Sequence, residues 1–192
     1  IYKRLGTKFD FYYFERDVGE IGLKLVKNNL KKGIFEISEG AIVFPGEKYG
    51  LHRRVFVNRE GLPTYEDKEL GLAPTKYKDF PYDFSIIVTG NEIIEYFKVL
   101  ICALKQIYPR LGEKAKHIPH GMVRLTSGKM SSRTGKVLTA EELLDEVKKR
   151  VLKIMKSSRR LSGANKKEVA EAIAIGAVKY SLLKGSLGQD IT

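Results

Sequence analysis

The chain has 192 residues, of which 43% are hydrophobic and 30% charged, with 18 glycines and six prolines, and this composition excludes collagen-like, low-complexity and wholly disordered chains. Lysine and arginine outnumber aspartate and glutamate by 35 to 23, so the net charge of +12 favours a polyanionic partner. No apolar run approaches the roughly 20 residues that span a membrane, and the first residues do not resemble a signal peptide, so we expect a cytoplasmic protein.

Helical and strand-like segments alternate along the first two thirds of the chain. Helical periodicity covers residues 15–32 and stops at Gly33, and β-branched runs at 40–44 and 54–58 predict two strands. A third strand is predicted at 84–89, where Gly90-Asn91 leads into an amphipathic helix over 92–108. With a further strand at 118–125, this order favours an α/β fold whose parallel sheet is covered by helices.

A loop rich in glycine, serine and lysine follows at residues 126–136. Its glycines allow close approach of the backbone to a ligand, and its hydroxyls and N–H groups can bind phosphate oxygens. Its cations can neutralise the charge that develops as a phosphoanhydride breaks. The loop therefore predicts a phosphate site, with a solvated basic loop as the alternative. A Walker A loop is excluded because Gly128 and Gly135 are seven residues apart and no Lys-Ser or Lys-Thr pair follows.

Two helices are predicted after this loop. Thr139-Ala140-Glu141-Glu142 is a capping-box pattern that opens a helix to about Met155, and Asn165 is expected to cap a second helix that stops at Gly185. Residues 148–160 carry seven basic side chains and no acidic one. Either this stretch faces a nucleic acid, or it complements the dipole of a helix whose first turn is acidic.

The basic loop resembles the KMSKS signature of class I aminoacyl-tRNA synthetases through Lys129-Met130-Ser131-Ser132-Arg133. Three further stretches, in the same order along the chain, resemble the arginyl-tRNA synthetases. They are the run from Phe56 to Tyr65 that contains Asn-Arg-Glu-Gly-Leu-Pro-Thr-Tyr, the run His117-Ile118-Pro119-His120-Gly121-Met122-Val123, and residues 169–180. The likeness extends from about Glu39 to the end of the sequence.

This resemblance implies the second half of a Rossmann-like nucleotide-binding domain followed by α-helices. Residues 1–128 would belong to the catalytic domain, and residues 129–192 would form the KMSKS-like loop and helices that lead toward an anticodon-binding domain. The implied activity is that of an arginine–tRNA ligase that uses ATP with Mg²⁺ and acts on arginine and tRNA(Arg).

The resemblance also implies roles for the basic residues. It assigns the binding of the ATP phosphates to Lys129, supported by Ser131, Ser132 and Arg133; the family's second lysine falls on Ser132, which leaves Arg133 as the neighbouring cation. The tRNA backbone is expected to contact Lys148, Lys149, Arg150 and Lys153 of the basic stretch.

Two further sets of residues are implied to bind the small substrates. Tyr65 and Glu69 match the family's tyrosine and acid that hold the arginine side chain, and a carboxylate accepts a guanidinium bidentately. The family's acid is usually Asp, and its nearby glutamine is replaced here by Ile93. The adenine site is implied to be lined by His120, Gly121, Met122 and Val123. No metal site is expected, because histidines three apart on a strand face opposite sides.

One element of the family is missing from these 192 residues: the HIGH signature, whose histidines bind ATP phosphates. The anticodon-binding domain would begin about where the sequence stops. We therefore expect a central fragment of a synthetase, with negligible aminoacylation by the isolated chain. The alternatives are another class I synthetase and a non-catalytic tRNA-binding module derived from one.

Overall fold

The computed structural model describes residues 1–123, 139–157 and 165–191. The chain forms two compact units. The sheet unit comprises Phe11–His120, and the helical unit comprises Ile1–Asp10 together with Gly121–Thr192. Within the described ranges no helix is both long enough and apolar enough to cross a lipid bilayer. The helices and strands in chain order are α1 (Tyr2–Leu5), α2 (Glu15–Leu30), β1 (Glu36–Ser38), β2 (Ala41–Phe44), β3 (Arg54–Val57), α3 (Tyr65–Asp79), β4 (Ser85–Gly90), α4 (Ile94–Ile107), α5 (Pro109–Lys114), β5 (Ala115–His120), α6 (Ala140–Ser157) and α7 (Lys166–Leu183).

The first three strands form an antiparallel sheet in the order β1-β2-β3. The predicted strands at 40–44 and 54–58 are confirmed as β2 and β3, whereas β1 has no counterpart in the sequence-based prediction. Glu39 and Gly40, both with positive φ, form the tight turn between β1 and β2. The antiparallel pairing follows from the short connections, since parallel neighbours need a crossover of a dozen or more residues.

The parallel sheet expected from the sequence is confirmed by β4 and β5, which pair in register from Ser85 and Ala115 to Gly90 and His120. Helices α4 and α5 make the crossover between them. The predicted helix at 92–108 begins with a short 3₁₀ turn, and α4 proper starts at Ile94. The last strand ends five residues before the predicted Leu125, with His120 as its final residue.

Aromatic residues fill the core of the sheet unit. The rings of Phe35, Phe44 and Phe56 are at most 2% exposed and pack with centroids 5.1 to 6.3 Å apart. Leu70 from α3 and Phe97 from α4 join the same cluster. Burial of these large apolar side chains is the main source of stability for this unit, because the hydrophobic effect scales with the apolar area removed from water.

Helices α6 and α7 pack together in the helical unit, and Leu144 of α6 and Ala170 and Ala174 of α7 are buried. The predicted capping box is confirmed: Thr139 Oγ1 accepts from Glu142 N at 3.2 Å, and Glu142 Oε2 accepts from Thr139 N at 2.8 Å. Asn165 occupies the N-cap position of α7 as predicted, but its side chain makes no capping hydrogen bond.

Within the helical unit, residues 121–123 pair with the C-terminal segment. Met122 N donates to Asp190 Oδ1 at 2.9 Å, and Ile191 N donates to Met122 O at 2.9 Å. A Cβ added at Gly121 would overlap the carbonyl oxygen of Gln189. The division between the units thus falls at residue 120, before the domain boundary at 128 expected from the sequence, because residues 121–123 pair with the C-terminal segment. The boundary at 128 stays a prediction.

Candidate functional site

The start of α3 is held against β3, and this positions Tyr65 and Glu69. Thr64 Oγ1 donates to the carbonyl oxygens of Val55 and Phe56, at 2.9 and 3.0 Å, and Thr64 N donates to Phe56 O at 3.0 Å. The preceding turn is closed by Asn58 Oδ1, which accepts from Leu62 N at 2.8 Å. Because Tyr65 and Glu69 are four residues apart on α3, they lie on one face of its first turns.

The two predicted arginine-binding residues differ in exposure. The Tyr65 ring is 66% exposed, and the Lys68 ammonium lies 4.9 Å from its centroid. Glu69 is half-buried, and burial raises the pKa of its carboxyl, a shift that the charge of Lys76 opposes. Lys76 in turn donates to Ser85 Oγ at 3.0 Å, and burial lowers the pKa of its ammonium. Glu69 is therefore a partly dehydrated acid with an open aromatic ring on the same helix face.

Three residues that the sequence analysis missed, Arg54, Glu66 and Tyr96, form a cluster at the same end of α3. Arg54 Nη1 lies 3.5 Å from Glu66 Oε1, and the Arg54 guanidinium carbon lies 5.7 Å from the centroid of the Tyr96 ring. Burial raises the pKa of the Tyr96 hydroxyl, and the charges of Glu69 and Glu66 raise it further. This region thus already holds one guanidinium against a carboxylate and a tyrosine ring, the two groups that recognise this cation best.

The signal for these residues in the sequence is weak. Glu66 directly follows Tyr65, and Tyr96 comes shortly after Gly90-Asn91-Glu92, but Arg54 lies in a strand with an unremarkable pattern. Only the packing of β3, α3 and α4 brings the three together.

The carboxyl ends of β4 and β5 lie side by side, with Gly90 opposite His120. In open α/β sheets this edge is where ligands bind. His117 does not face this edge: its ring stacks on Phe97 at a centroid distance of 4.3 Å, and its Nε2 lies 2.8 Å from Thr89 Oγ1. Burial lowers the pKa of His117, which favours the neutral imidazole of a core residue.

The predicted adenine-binding residues continue from this edge into the helical unit. His120 is exposed and ends β5, whereas Gly121 is buried. The Met122 N–H is used within the fold by the Asp190 carboxylate, so an adenine bound along residues 121–123 would have to use other groups of the segment. The predicted phosphate-binding residues Lys129, Ser131, Ser132 and Arg133 lie outside the described residues.

The predicted tRNA-binding residues of α6 separate into paired and exposed side chains. Lys148 Nζ lies 2.7 Å from Glu171 Oε2 with its side chain only 29% exposed, so its ammonium serves the contact between α6 and α7. Arg150 is exposed and pairs with Glu146 of its own helix at 3.3 Å. Lys149 and Lys153 are exposed and, four residues apart, lie on one stripe of the helix surface. This stripe is the part of the basic stretch best placed to meet a polyanion.

Comparison with known proteins identifies relatives for nearly the whole chain. The family described as "tRNA synthetases class I (R), catalytic domain" matches residues 18–190. An arginine–tRNA ligase of Flavobacterium psychrophilum is 34% identical over 188 residues, which cover 95% of this chain and 31% of that protein. One of Treponema denticola is 34% identical over 192 residues, covering 99% of this chain and 32% of that protein.

A solved structure shows the same fold. The Thermus thermophilus arginyl-tRNA synthetase aligns with 98% of this chain and 38% of its own, with a TM-score of 0.76 at 21% sequence identity. The chain therefore spans about a third of the length of the curated relatives that it matches.

Proposed function

The chain belongs to the class I arginyl-tRNA synthetases, within their catalytic domain, and on this premise we propose that it supplies the arginine-binding wall and the phosphate-binding loop of an ATP-dependent arginine–tRNA ligase. In the proposed reaction the arginine carboxylate attacks the α-phosphorus of ATP, and pyrophosphate leaves as arginyl-adenylate forms. A tRNA hydroxyl then attacks the activated carbonyl, and AMP leaves.

The observation that carries this proposal is the group formed by Tyr65, Glu66 and Glu69 at the start of α3, with Tyr96 of α4. Glu69 would accept the substrate guanidinium, and Tyr65 would cover it, as the family pattern implies. The pairing of Arg54 with Glu66 and Tyr96 supports this assignment, because it shows the same chemistry at an acid three residues before Glu69 on α3. Since Arg54 pairs with Glu66, Glu69 is left as the acid for the substrate, and the positive charge that acts on its carboxyl is that of Lys76.

ATP would lie at the carboxyl edge of β4 and β5, with its adenine near His120 and the segment Gly121, Met122 and Val123. Lys129, Ser131, Ser132 and Arg133 would hold the phosphates and stabilise the leaving pyrophosphate by electrostatics. Mg²⁺ would accompany ATP and neutralise part of the polyphosphate charge. The exposed lysines of α6, Lys149 and Lys153 with Arg150 beside them, would contact the backbone of tRNA(Arg).

The proposal is tested by arginine-dependent ATP–pyrophosphate exchange in the complete polypeptide that carries these 192 residues. Glu69→Gln should raise the KM for arginine by about 30-fold, the equivalent of losing a charge-assisted hydrogen bond of ~2 kcal/mol. Glu20→Gln, an exposed acid on α2, is the matched control and should leave KM unchanged.

Two other results would contradict the proposal. Exchange that depends on a different amino acid would indicate another class I synthetase. Binding of tRNA without any exchange would indicate a non-catalytic module. The 192 residues alone are expected not to aminoacylate, because they do not contain the HIGH element.

A further inference from the structure

Asp67 is a fully buried acid whose carboxylate makes no hydrogen bond to the described residues. It is 0% exposed, and neither of its carboxylate oxygens has a hydrogen-bond partner among the residues that the structure describes. Burial raises the pKa of Asp67 to about 7, against the opposing charges of Lys68 and Lys27. Such an unpaired acid is rare in protein interiors and calls for an explanation, because an apolar residue would avoid the cost of desolvation.

The acid lies where α2 and α3 approach each other most closely. A Cβ added at Gly22 of α2 would overlap both the backbone oxygen and Oδ1 of Asp67. A Cβ at Gly71, one turn further along α3, would overlap the carbonyl oxygen of Val18 and lie 2.7 Å from Gly22 N. The two glycines therefore let the helix backbones touch, and Asp67 is enclosed at the edge of this contact.

The contact is also the support of the candidate arginine site. Tyr65 and Glu69 flank Asp67 in sequence, and residues two apart on a helix point about 200° away from each other. Asp67 thus faces α2 from one side of α3, while Tyr65 and Glu69 lie on the other side. Any change in the separation of α2 and α3 would rotate or shift the turn that carries both predicted arginine ligands.

We propose that Asp67 is a positioning residue whose neutral form keeps α3 seated against the glycines of α2, so that Tyr65 and Glu69 point correctly at the arginine substrate. Ionisation of Asp67 would place an unpaired charge in this contact and drive the helices apart toward water. The charged groups that act on the acid are Lys27 of α2 and Lys68 of α3, and Lys68 is itself paired with Glu15 at 2.8 Å. From the other elements packed on α3, β3 presents Arg54 and α4 presents Tyr96, both toward Glu66.

This inference rests on the proposed function, and its test uses arginine-dependent ATP–pyrophosphate exchange in the complete polypeptide. Asp67→Asn replaces the neutral acid by a neutral isostere. The quantity measured is the ratio of the KM for arginine in the wild type to that in Asp67→Asn. Glu69 and the substrates titrate in both proteins, so the ratio cancels their contribution to the pH dependence. We expect a ratio near one at about pH 6 that rises with pH, by up to tenfold per unit above about pH 7. A ratio that does not change with pH would overturn the proposal.

Gly22→Ala gives an independent test, since its added methyl forces the two helices apart at any pH. It should raise the KM for arginine by about tenfold. Gly19→Ala is the control, because its Cβ would meet only Pro63 Cγ at 3.6 Å and Lys68 Cγ at 3.7 Å. Equal KM values for these two variants would also contradict the proposal. If the wild type shows no arginine-dependent exchange, the proposed function is wrong; if exchange is normal and both tests fail, only the role of Asp67 is wrong.

Discussion

The two helix pairs of this protein achieve close packing by opposite means. In the sheet unit, α2 and α3 touch through Gly22 and Gly71, and Asp67 at their contact has no hydrogen-bond partner among the described residues. In the helical unit, α6 and α7 pack through small apolar side chains such as Ala170 and Ala174, and the charges at their edge are paired. There, Glu171 accepts from both Arg4 and Lys148, at 2.5 and 2.7 Å.

The difference separates charges that hold the fold together from charges available for another purpose. The charged groups around Glu171 form ion pairs with it, so their role is to stabilise the packing of the fold. Asp67 has no hydrogen-bond partner in the part of the chain that the structure describes, and it lies between the candidate arginine ligands in sequence, which is why it invites a functional explanation. Charge density along the sequence does not make this distinction, because it shows seven bases over residues 148–160 and nothing unusual at residue 67.

The largest expected effect comes from replacing one glycine by alanine in each of the two helix pairs. Gly71→Ala should lower the free energy of unfolding by about 3 kcal/mol, because the new Cβ meets backbone atoms that cannot move aside. Gly176→Ala in α7 should raise it by up to about 1 kcal/mol, since nothing lies within 4 Å and alanine favours a helix. Chemical unfolding of both variants measures the contrast, and equal effects would show that the glycine contact is not tight.

An effect of comparable size to that contrast is the pH dependence of stability that Asp67 produces. Its pKa in the folded state, about 7, lies above the ordinary value of 3.8, so the folded protein holds the proton more strongly. The contribution of Asp67 to the free energy of unfolding should therefore be complete below about pH 4. It should decrease as pH rises to 7, by up to about 4 kcal/mol. Asp67→Asn should remove this slope, and Asp17→Asn, at an exposed acid of α2, should keep it. An unchanged slope in Asp67→Asn would assign the dependence to other groups.

Glu171 should produce a smaller effect of opposite sign. Hydrogen bonds from Arg4 and Lys148 hold its pKa at about 2, below the ordinary value of 4.5. Its contribution is present above about pH 4.5 and is lost as pH falls toward 2. Glu171→Gln should thus lower the melting temperature at pH 7 but not near pH 2, and high salt should weaken the effect. Glu168→Gln, an exposed acid of α7, is the control; the same shift in both variants would contradict a specific role for the pairing.

The smallest effects concern the exposed lysines of α6. If Lys149 and Lys153 contact tRNA phosphates, replacing either with alanine should reduce the slope of log affinity against log salt by about one. Lys148→Ala should leave this slope unchanged while lowering stability, because its ammonium is engaged by Glu171. Measuring the affinity for tRNA at several salt concentrations distinguishes Lys149 and Lys153 from Lys148. Equal slopes in all three variants would argue against the exposed stripe as the tRNA contact.

The arginine site shows how far the sequence analysis reached. The linear motif around Tyr65 identified two residues that the structure positions on one helix face, although the helix that carries them, α3, was not among the predicted elements. Arg54 and Tyr96 were missed, because they come from β3 and α4 and have no fixed spacing from Tyr65. The predicted adenine segment was also proposed from a motif, whereas its hydrogen bonds to Asp190 and Ile191 link residues nearly 70 positions apart.

By itself, the sequence determined the features that depend on neighbouring residues. The capping box at Thr139, the periodicity of α2, the strand and helix order around Gly90 and the family motifs all follow from side chains within a few positions of each other. The tertiary structure alone decided which charges are paired, which acid is enclosed and where the compact units divide. These depend on contacts such as Arg4 with Glu171 and Gly22 with Asp67, and the energy of burying or pairing a charge is set by the surroundings that folding creates, not by the residue's neighbours in the chain.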